Sequence, residues 1–235
     1  MWATWRQLHA DIVDEHYYMS PEWFLRNSAR YDQYDRSGPK VFAGEYAAQS
    51  AGMTRSDNRN NWKTAISEAA FMTGLERNGD VVQMASYAPL LAHVDAWQWK
   101  PDAIWFDNLR SFGTTDYYVQ KVFASNVGTR ILPTTPRADG GLYTSAVLDE
   151  STHEVIVKAI NYSSSARAAE IRLNGINPSG TVKVTTLASA DLNAENSFDH
   201  PTAVAPEAST LEVKSGILPV QLRPYSVTVY RIPAK

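Results

Sequence analysis

Residues 40–47 read KVFAGEYA, a short apolar run that ends in a carboxylate and a phenol. The breaker Ser37-Gly38-Pro39 comes directly before the run, so the pattern predicts one β-strand that starts there. Strict alternation along the strand places four side chains on one face: Val41, Ala43, Glu45 and Ala47. The small alanines on either side of Glu45 leave room for a ligand on that face.

Strand and helix patterns alternate on both sides of this run. Ser20-Pro21 supplies an N-cap followed by proline at the first helical position, and it predicts a helix that continues through Tyr34. The other predicted elements of this half are strands at 12–18 and 81–87, helices at 62–78 and 115–126, and a long loop at 88–113. The order βαβαβα predicts a parallel sheet with crossover helices. Three βα units are too few to close a barrel, but they fit the last three of eight.

The periodicity changes near residue 130. Seven short alternating runs follow with no helical pattern between them: 142–148, 154–161, 169–173, 181–187, 210–213, 218–222 and 226–232. Such a series predicts a β-sandwich or jelly roll. Pro133-Thr134-Thr135-Pro136 reads as the linker before it. We therefore expect two domains, 1–128 and 129–235, of which the first is α/β and the second is all β.

Composition excludes several classes of function. The formal net charge is −3, so no basic excess favours nucleic acid or an anionic membrane surface as a partner. The absence of cysteine excludes disulfides, thiolate catalysis and cysteine-ligated zinc. The five histidines lack metal-site spacing, and no phosphate-binding loop or nucleotide fingerprint is present. We therefore expect no metal and no cofactor. The first residues lack a signal-peptide pattern, and no apolar run is long enough to cross a membrane.

Polar side chains occur at the ends of the first two predicted strands. His16 and Tyr18 share strand parity, and Glu45 lies near the end of the next strand. In a (β/α) barrel the active site forms at the carboxyl ends of the strands, so these side chains are expected to converge. A retaining glycosidase uses one carboxylate as a nucleophile, with neighbouring donors that keep it ionised and aimed. On the pattern alone, Glu45 fits a salt-bridged strand-end carboxylate equally well, and His16 fits a hydrogen-bonded structural histidine.

Several stretches resemble glycoside hydrolase family 51, in the branch shared by plants and many bacteria. The resemblance extends over almost the whole chain, and residues 14–18, 40–47, 65–91, 102–108 and 195–201 carry it. The resemblance implies a partial TIM barrel, the last three βα units of a (β/α)8 fold, followed by a jelly-roll β-sandwich. It also implies hydrolysis of terminal α-L-arabinofuranosyl groups with retention of configuration. Glu45 corresponds to the family's nucleophile, and His16 and Tyr18 correspond to the pair that supports it.

The chain departs from the family pattern at two places. The acid/base glutamate of the family follows an asparagine on the fourth barrel strand, and no such Asn-Glu context occurs here. Glu15 is expected on the wrong face of its strand, and Pro89 stands where some members carry a sugar-contacting glutamine. The chain is therefore expected to be a fragment that lacks the first five βα units and is inactive alone. The rival hypothesis is a truncated, non-catalytic product that acts as a carbohydrate-binding or structural sandwich module.

The predicted loop at 88–113 is rich in tryptophan. Trp97 and Trp99 are candidates for stacking on an arabinoxylan or arabinan chain, and packing against the sandwich is the alternative. The resemblance implies an arabinose-containing polysaccharide or oligosaccharide as the partner. It favours a secreted or periplasmic location for the intact enzyme and leaves a homo-oligomer open.

Overall fold

The first half of the chain forms a parallel sheet of three strands. After a short helix α1 (Trp2–Gln7), the strands β1 (Ile12–Met19), β2 (Lys40–Ala48) and β3 (Val82–Tyr87) pair in the order β1-β2-β3. The computed structural model describes residues 2–53, 55–135, 140–176, 178, 180–213 and 216–234. Within those residues β1 and β3 pair only with β2, so each leaves one edge without a partner strand. The sequence predicted all three strands but not α1.

The helix after β1 is shorter than the sequence predicts. It spans α2 (Pro21–Arg26), with Ser20 as the N-cap, and ends at Asn27 instead of continuing through Tyr34. The backbone N–H and the side-chain amide of Asn27 both donate to the carbonyl of Trp23, which closes the last turn. The chain then continues in turns that bring Tyr31 and Tyr34 to β1. The prediction of a helix through Tyr34 is therefore wrong.

The long helix α3 (Trp62–Arg77) lies between the parallel sheet and the β-sandwich. It begins at the N-cap Asn61 and ends at the C-cap Asn78, close to the predicted bounds, and thirteen of its sixteen residues are buried. A helix that is buried on nearly every side packs against more than one layer. It contacts β2 and β3 of the parallel sheet, and it also contacts strands of the second half of the chain. Its first turn is tied to the sandwich because Trp62 N donates to Ala194 O at 2.9 Å.

The segment predicted as a long loop contains three short strands. They form a small sheet in the order β4 (Leu91–His93), β5 (Ile104–Phe106) and β6 (Ser111–Gly113), which leads into α4 (Thr115–Ala124). Each strand has only three residues. The prediction of a loop over residues 88–113 is therefore wrong. Strands this short were missed because they show no period-two pattern in the sequence.

The second half of the chain is all β, as predicted. Its strands are β7 (Arg130–Leu132), β8 (Leu142–Asp149), β9 (Glu154–Asn161), β10 (Arg167–Arg172), β11 (Gly180–Ala188), β12 (Glu207–Val213), β13 (Ile217–Leu222) and β14 (Ser226–Pro233). Six of them form an antiparallel sheet in the order β12-β11-β14-β9-β8-β7, and β10 pairs with β13. Buried side chains from both sheets share one hydrophobic core. The strand β7 was not predicted, and Pro136 of the predicted linker lies outside the described residues.

Buried polar contacts join α3 to the sandwich. Lys158 on β9 is fully buried and forms an ion pair with Glu76 near the end of α3. Ser145 on β8 donates a hydrogen bond to the same carboxylate. Trp62 Nε1 donates to Tyr225 O at 2.8 Å at the other end of the helix. No helix among the described residues is long and apolar enough to cross a membrane.

Candidate active site

The carboxyl ends of β1 and β2 bring three sequence-predicted residues together. Strand register places His16 opposite Glu45. Tyr18 Oη donates a hydrogen bond to Glu45 Oε2 at 2.7 Å, and His16 Nδ1 lies 3.4 Å from the same oxygen. The side chains of His16 and Glu45 are each 45% exposed. The site therefore lies on the solvent-facing side of the sheet, where a ligand has access to it.

Glu45 reaches this side because β2 contains a β-bulge. Between the pairs Asp14–Phe42 and His16–Glu45, β1 advances by two residues and β2 by three. An extra residue of this kind reverses which face the following side chains occupy. Val41 and Ala43 are buried against the core, whereas Glu45, which follows the extra residue, lies on the opposite face of the sheet. We call this the open face, and it also carries Asp14, His16 and Tyr18. The prediction that Val41 and Ala43 share a face with Glu45 is wrong.

Asp14 was not predicted as a site residue, but it contacts both His16 and the bulge. Asp14 Oδ2 lies 2.8 Å from His16 Nε2, and Asp14 Oδ1 accepts the backbone N–H of Gly44 at 3.1 Å. The imidazole thus lies between two carboxylates, those of Asp14 and Glu45. From β3, Ser86 Oγ donates to the carbonyl of Gly44. A glycine inside a strand pattern signals a bulge or a close backbone approach, and Gly44 was the available sign of this arrangement.

The surroundings of Tyr18 keep its phenol protonated. Burial, followed by the hydrogen bond to the Glu45 carboxylate, raises the pKa of Tyr18 well above its ordinary value of 10.0. The phenol therefore stays a neutral hydrogen-bond donor across the physiological pH range. It offers a permanent donor to Glu45 Oε2, whereas Glu45 Oε1 accepts no hydrogen bond from the described residues.

Glu15 lies on the other face of β1, as predicted. Its carboxylate accepts hydrogen bonds from Tyr17, Tyr31 and Tyr34 and lies 3.6 Å from the guanidinium of Arg30. These partners belong to β1 and to the turns after α2, on the side of the sheet opposite Glu45. Glu15 is therefore a structural carboxylate and does not reach the open face.

The tryptophan candidates Trp97 and Trp99 lie on the segment between β4 and β5. Trp97 lines a cleft of about 390 Å³ together with Trp105, Phe112 and Phe198, and none of Glu45, His16 and Tyr18 lines it. Lys100 Nζ lies 4.6 Å from the centroid of the Trp97 ring. Trp99 is 51% exposed and does not line the cleft. A role of Trp97 or Trp99 in substrate binding stays a prediction.

The site offers carboxylate, imidazole and phenol chemistry. Within the part of the chain that the structure describes, no group of three or more histidine, aspartate or glutamate side chains is placed to hold a metal ion. Tyr18 and His16 contact one oxygen of the Glu45 carboxylate, Oε2, and the other oxygen, Oε1, is available to a ligand. That is the arrangement expected around a carboxylate nucleophile.

Comparison with known proteins identifies the family. The model of the α-L-arabinofuranosidase C-terminal domain matches residues 44–226. An extracellular exo-α-L-arabinofuranosidase from Streptomyces chartreusis is 55% identical over 143 residues, which are 59% of this chain and 16% of that protein. The α-L-arabinofuranosidase 1 of Arabidopsis thaliana is 33% identical over 229 residues, which are 94% of this chain and 33% of that protein. The chain thus spans at most a third of the length of these two relatives.

Solved structures agree with this relationship. An arabinose-bound α-L-arabinofuranosidase of glycoside hydrolase family 51 matches 96% of this chain and 37% of its own, with a TM-score of 0.88 and 34% identity. The α-L-arabinofuranosidase of Thermotoga maritima matches 94% of this chain and 52% of its own, with a TM-score of 0.73 and 18% identity, which shows a shared fold. The chain therefore belongs to the α-L-arabinofuranosidases of glycoside hydrolase family 51 and corresponds to their C-terminal portion.

Proposed function

We propose that this chain carries the nucleophile of a retaining glycoside hydrolase that removes terminal α-L-arabinofuranosyl groups from arabinose-containing polysaccharides or oligosaccharides. The observation that carries the proposal is the environment of Glu45. Its Oε2 atom accepts a hydrogen bond from Tyr18 at 2.7 Å and lies 3.4 Å from His16, while Oε1 accepts no hydrogen bond from the described residues. Glu45 is the nucleophile, and His16 and Tyr18 hold it in position beside the sugar.

The mechanism is a double displacement. Glu45 Oε1 attacks the anomeric carbon, the bond from that carbon to the leaving oxygen breaks, and an acid donates a proton to the leaving group. Water then attacks the resulting glycosyl ester, the former acid removes a proton from that water, and the Glu45 carboxylate is released. Each step inverts the anomeric carbon, so the overall result is retention. The neutral Tyr18 phenol stabilises negative charge on Glu45 before attack and again when the ester breaks.

The acid/base group belongs to a part of the enzyme that this chain does not contribute. A retaining site needs a second carboxyl about 5–5.5 Å from the first, aimed at the leaving oxygen. Of the carboxylates on β1, Glu15 lies on the opposite face, and Asp14 is separated from Glu45 by the imidazole ring. We place the missing group on preceding βα units that would extend the parallel sheet from its open edge at β1 or β3.

The same argument supports a partial TIM barrel. Three parallel strands alternate with helices, and β1 and β3 each have one edge without a partner strand among the described residues. Together with the polar side chains at the carboxyl ends, this arrangement suits the last three units of a (β/α)8 barrel. On this proposal residues 1–128 complete the catalytic barrel, and residues 129–235 form a jelly-roll sandwich behind it. Secretion of the intact enzyme is supported by the extracellular relative from Streptomyces chartreusis.

Replacement of Glu45 by glutamine in the intact enzyme tests the proposal. Glu45→Gln preserves size but removes the anionic nucleophile, so hydrolysis of an aryl α-L-arabinofuranoside should fall by several orders of magnitude, at least about 10³-fold. Azide should restore part of the turnover and give a glycosyl azide of inverted configuration. Glu170→Gln, an exposed carboxylate on β10, is the matched control and should leave turnover unchanged.

The alternative is a non-catalytic, carbohydrate-binding or structural sandwich module. The observation that favours it is the cleft lined by Trp97 and other aromatic side chains, because an aromatic ring can stack on a sugar and bind it without catalysing a reaction. The same experiment separates the two functions. A non-catalytic module has no turnover for Glu45→Gln to remove, and wild-type turnover in Glu45→Gln would reassign the nucleophile.

A further inference from the structure

The bulge in β2 leaves one residue, Gly44, without a register partner in either neighbouring strand. The register between β1 and β2 shifts between Asp14 and His16, and the register between β2 and β3 shifts between Ala43 and Tyr46. At both of these shifts the extra residue lies in β2 beside Glu45, whereas a further shift between Val41 and Phe42 has its extra residue in β3. A backbone N–H or C=O that loses its strand partner needs another hydrogen-bond partner, because an unsatisfied peptide group is costly.

Side chains from both flanking strands bind the backbone N–H and C=O of Gly44. Asp14 Oδ1 on β1 accepts the N–H of Gly44 at 3.1 Å, and Ser86 Oγ on β3 donates to the C=O of Gly44. The approach on the β1 side is so close that a Cβ atom on residue 44 would lie 2.3 Å from Asp14 Oδ1. A side chain at position 44 would therefore push the Asp14 carboxylate away from the Gly44 N–H, whereas with glycine the bulge is held from both sides.

Asp14 links this backbone anchor to the imidazole. While Oδ1 holds the residue before Glu45, Oδ2 lies 2.8 Å from His16 Nε2 and fixes the orientation of the ring. The opposite ring nitrogen, Nδ1, is thereby directed at Glu45 Oε2. The Asp14 carboxylate thus positions Glu45 in two ways, through the backbone of the preceding residue Gly44 and through the His16 ring that contacts Glu45. A carboxylate behind a histidine commonly sets ring orientation in this way.

We propose that Asp14 is a positioning residue for the nucleophile, with Ser86 as a second anchor, and that together they hold the bulge that turns Glu45 onto the open face. This inference rests on the proposed role of Glu45. Asp14 touches neither the sugar nor the leaving group in this arrangement. It acts through Gly44 and His16.

Three variants of the intact enzyme separate the anchors. Asp14→Asn keeps an acceptor for Gly44 N–H but loses the carboxylate that faces His16, and kcat on an aryl α-L-arabinofuranoside should fall by roughly 10-fold. Asp14→Ala loses both contacts, and kcat should fall by about 100-fold, the usual cost of a misplacement near 1 Å. Ser86→Ala removes only the anchor on the Gly44 carbonyl and should lower kcat by several-fold. KM and the melting temperature should stay close to wild type, because both hydrogen bonds to Gly44 are exposed and water can replace the lost side-chain partner.

The ring ¹⁵N signals of His16 in histidine-labelled enzyme provide a readout that does not depend on turnover. They should move in Asp14→Asn and Asp14→Ala and stay in place in Asp11→Asn, an exposed aspartate immediately before β1 that serves as the matched control. If Glu45→Gln retains turnover, the proposed nucleophile fails, and the ¹⁵N spectra then decide the role of Asp14 alone. Wild-type kcat in Asp14→Ala together with unmoved His16 signals would overturn the inference.

Discussion

Glu68 on α3 and Asp116 on α4 are fully buried beneath the carboxyl end of β2. Glu68 Oε1 accepts the backbone N–H of Ala48 at 2.8 Å, so this carboxyl group holds the last residue of the strand that carries Glu45. Burial, together with the adjacent Asp116 charge, raises the pKa of Glu68 well above its ordinary value. Burial raises the pKa of Asp116 from 3.8 to about 6. At a pH between a group's unfolded and folded pKa values, the folded protein therefore holds a proton on that carboxyl group that the unfolded chain releases.

This difference predicts how stability depends on pH. Between pH 3.8, where the unfolded Asp116 titrates, and about pH 6, the folded state binds more protons, so the free energy of unfolding contributed by Asp116 falls as pH rises. The contribution is fully present below this window and lost above it. In Asp116→Asn no proton is involved, and the difference in melting temperature between variant and wild type should change across pH 4–6. Asp95→Asn, at an exposed position, should show a constant difference. A constant difference for Asp116→Asn would contradict the raised pKa.

At the scale of whole elements, α3 packs so closely that one position excludes a side chain. A Cβ atom on Gly74 would lie 1.9 Å from the backbone carbonyl oxygen of Ser28, in the turns that follow α2. Backbone cannot move aside as a flexible side chain does. Gly74→Ala should therefore lower the free energy of unfolding by roughly 3 kcal/mol, although alanine is the better helix former. Gly216→Ala is the control, because a Cβ there meets nothing closer than 3.9 Å. Equal denaturation midpoints for the two variants would contradict this prediction, because they would show that α3 and the turn at Ser28 can move apart to admit a methyl group without loss of stability.

The elements differ in how well the sequence predicts them. The bounds of α3 were predicted closely because Asn61 and Asn78-Gly79 mark both ends, whereas α2 stops early because the Asn27 side chain closes its last turn. The convergence of His16, Tyr18 and Glu45 was predicted from parallel strand ends. Strand parity, however, assigned Glu45 to the face of Val41 and Ala43, because a bulge depends on contacts across strands that a single strand pattern does not contain. Asp14 and Ser86 were missed as contacts for the same reason, since their shared partner is a backbone group.

At the scale of the whole molecule, the two sheets differ in how completely their edges are satisfied. The central strands β9 and β14 have partners on both sides, whereas β1 and β3 have one each among the described residues. The open face of the parallel sheet also exposes apolar side chains such as Ile12 and Met84. Unpaired edges and exposed apolar faces favour local opening and self-association.

Hydrogen exchange on the purified 235-residue chain tests this difference. Amides of β1 and β3 should exchange faster than those of β9 and β14, because fewer neighbours hold them. Size-exclusion chromatography over a range of concentrations should show larger species if the open edges pair between copies. Uniformly strong protection of both sheets in a dilute monomer would contradict the proposal that the parallel sheet is part of a larger barrel.

The position of α3 between the parallel sheet and the sandwich limits how these proteins can exchange parts by recombination. Glu76 at one end of the helix pairs with the buried Lys158, and Trp62 at the other end donates to Tyr225 O. A crossover near residue 130 that introduced an unrelated sandwich would leave Glu76 without its cation and Trp62 without its acceptor. We therefore expect the sandwich and this helix to be exchanged together, and we expect substitutions at Lys158 on β9 to be constrained by Glu76, more than eighty residues earlier in the chain.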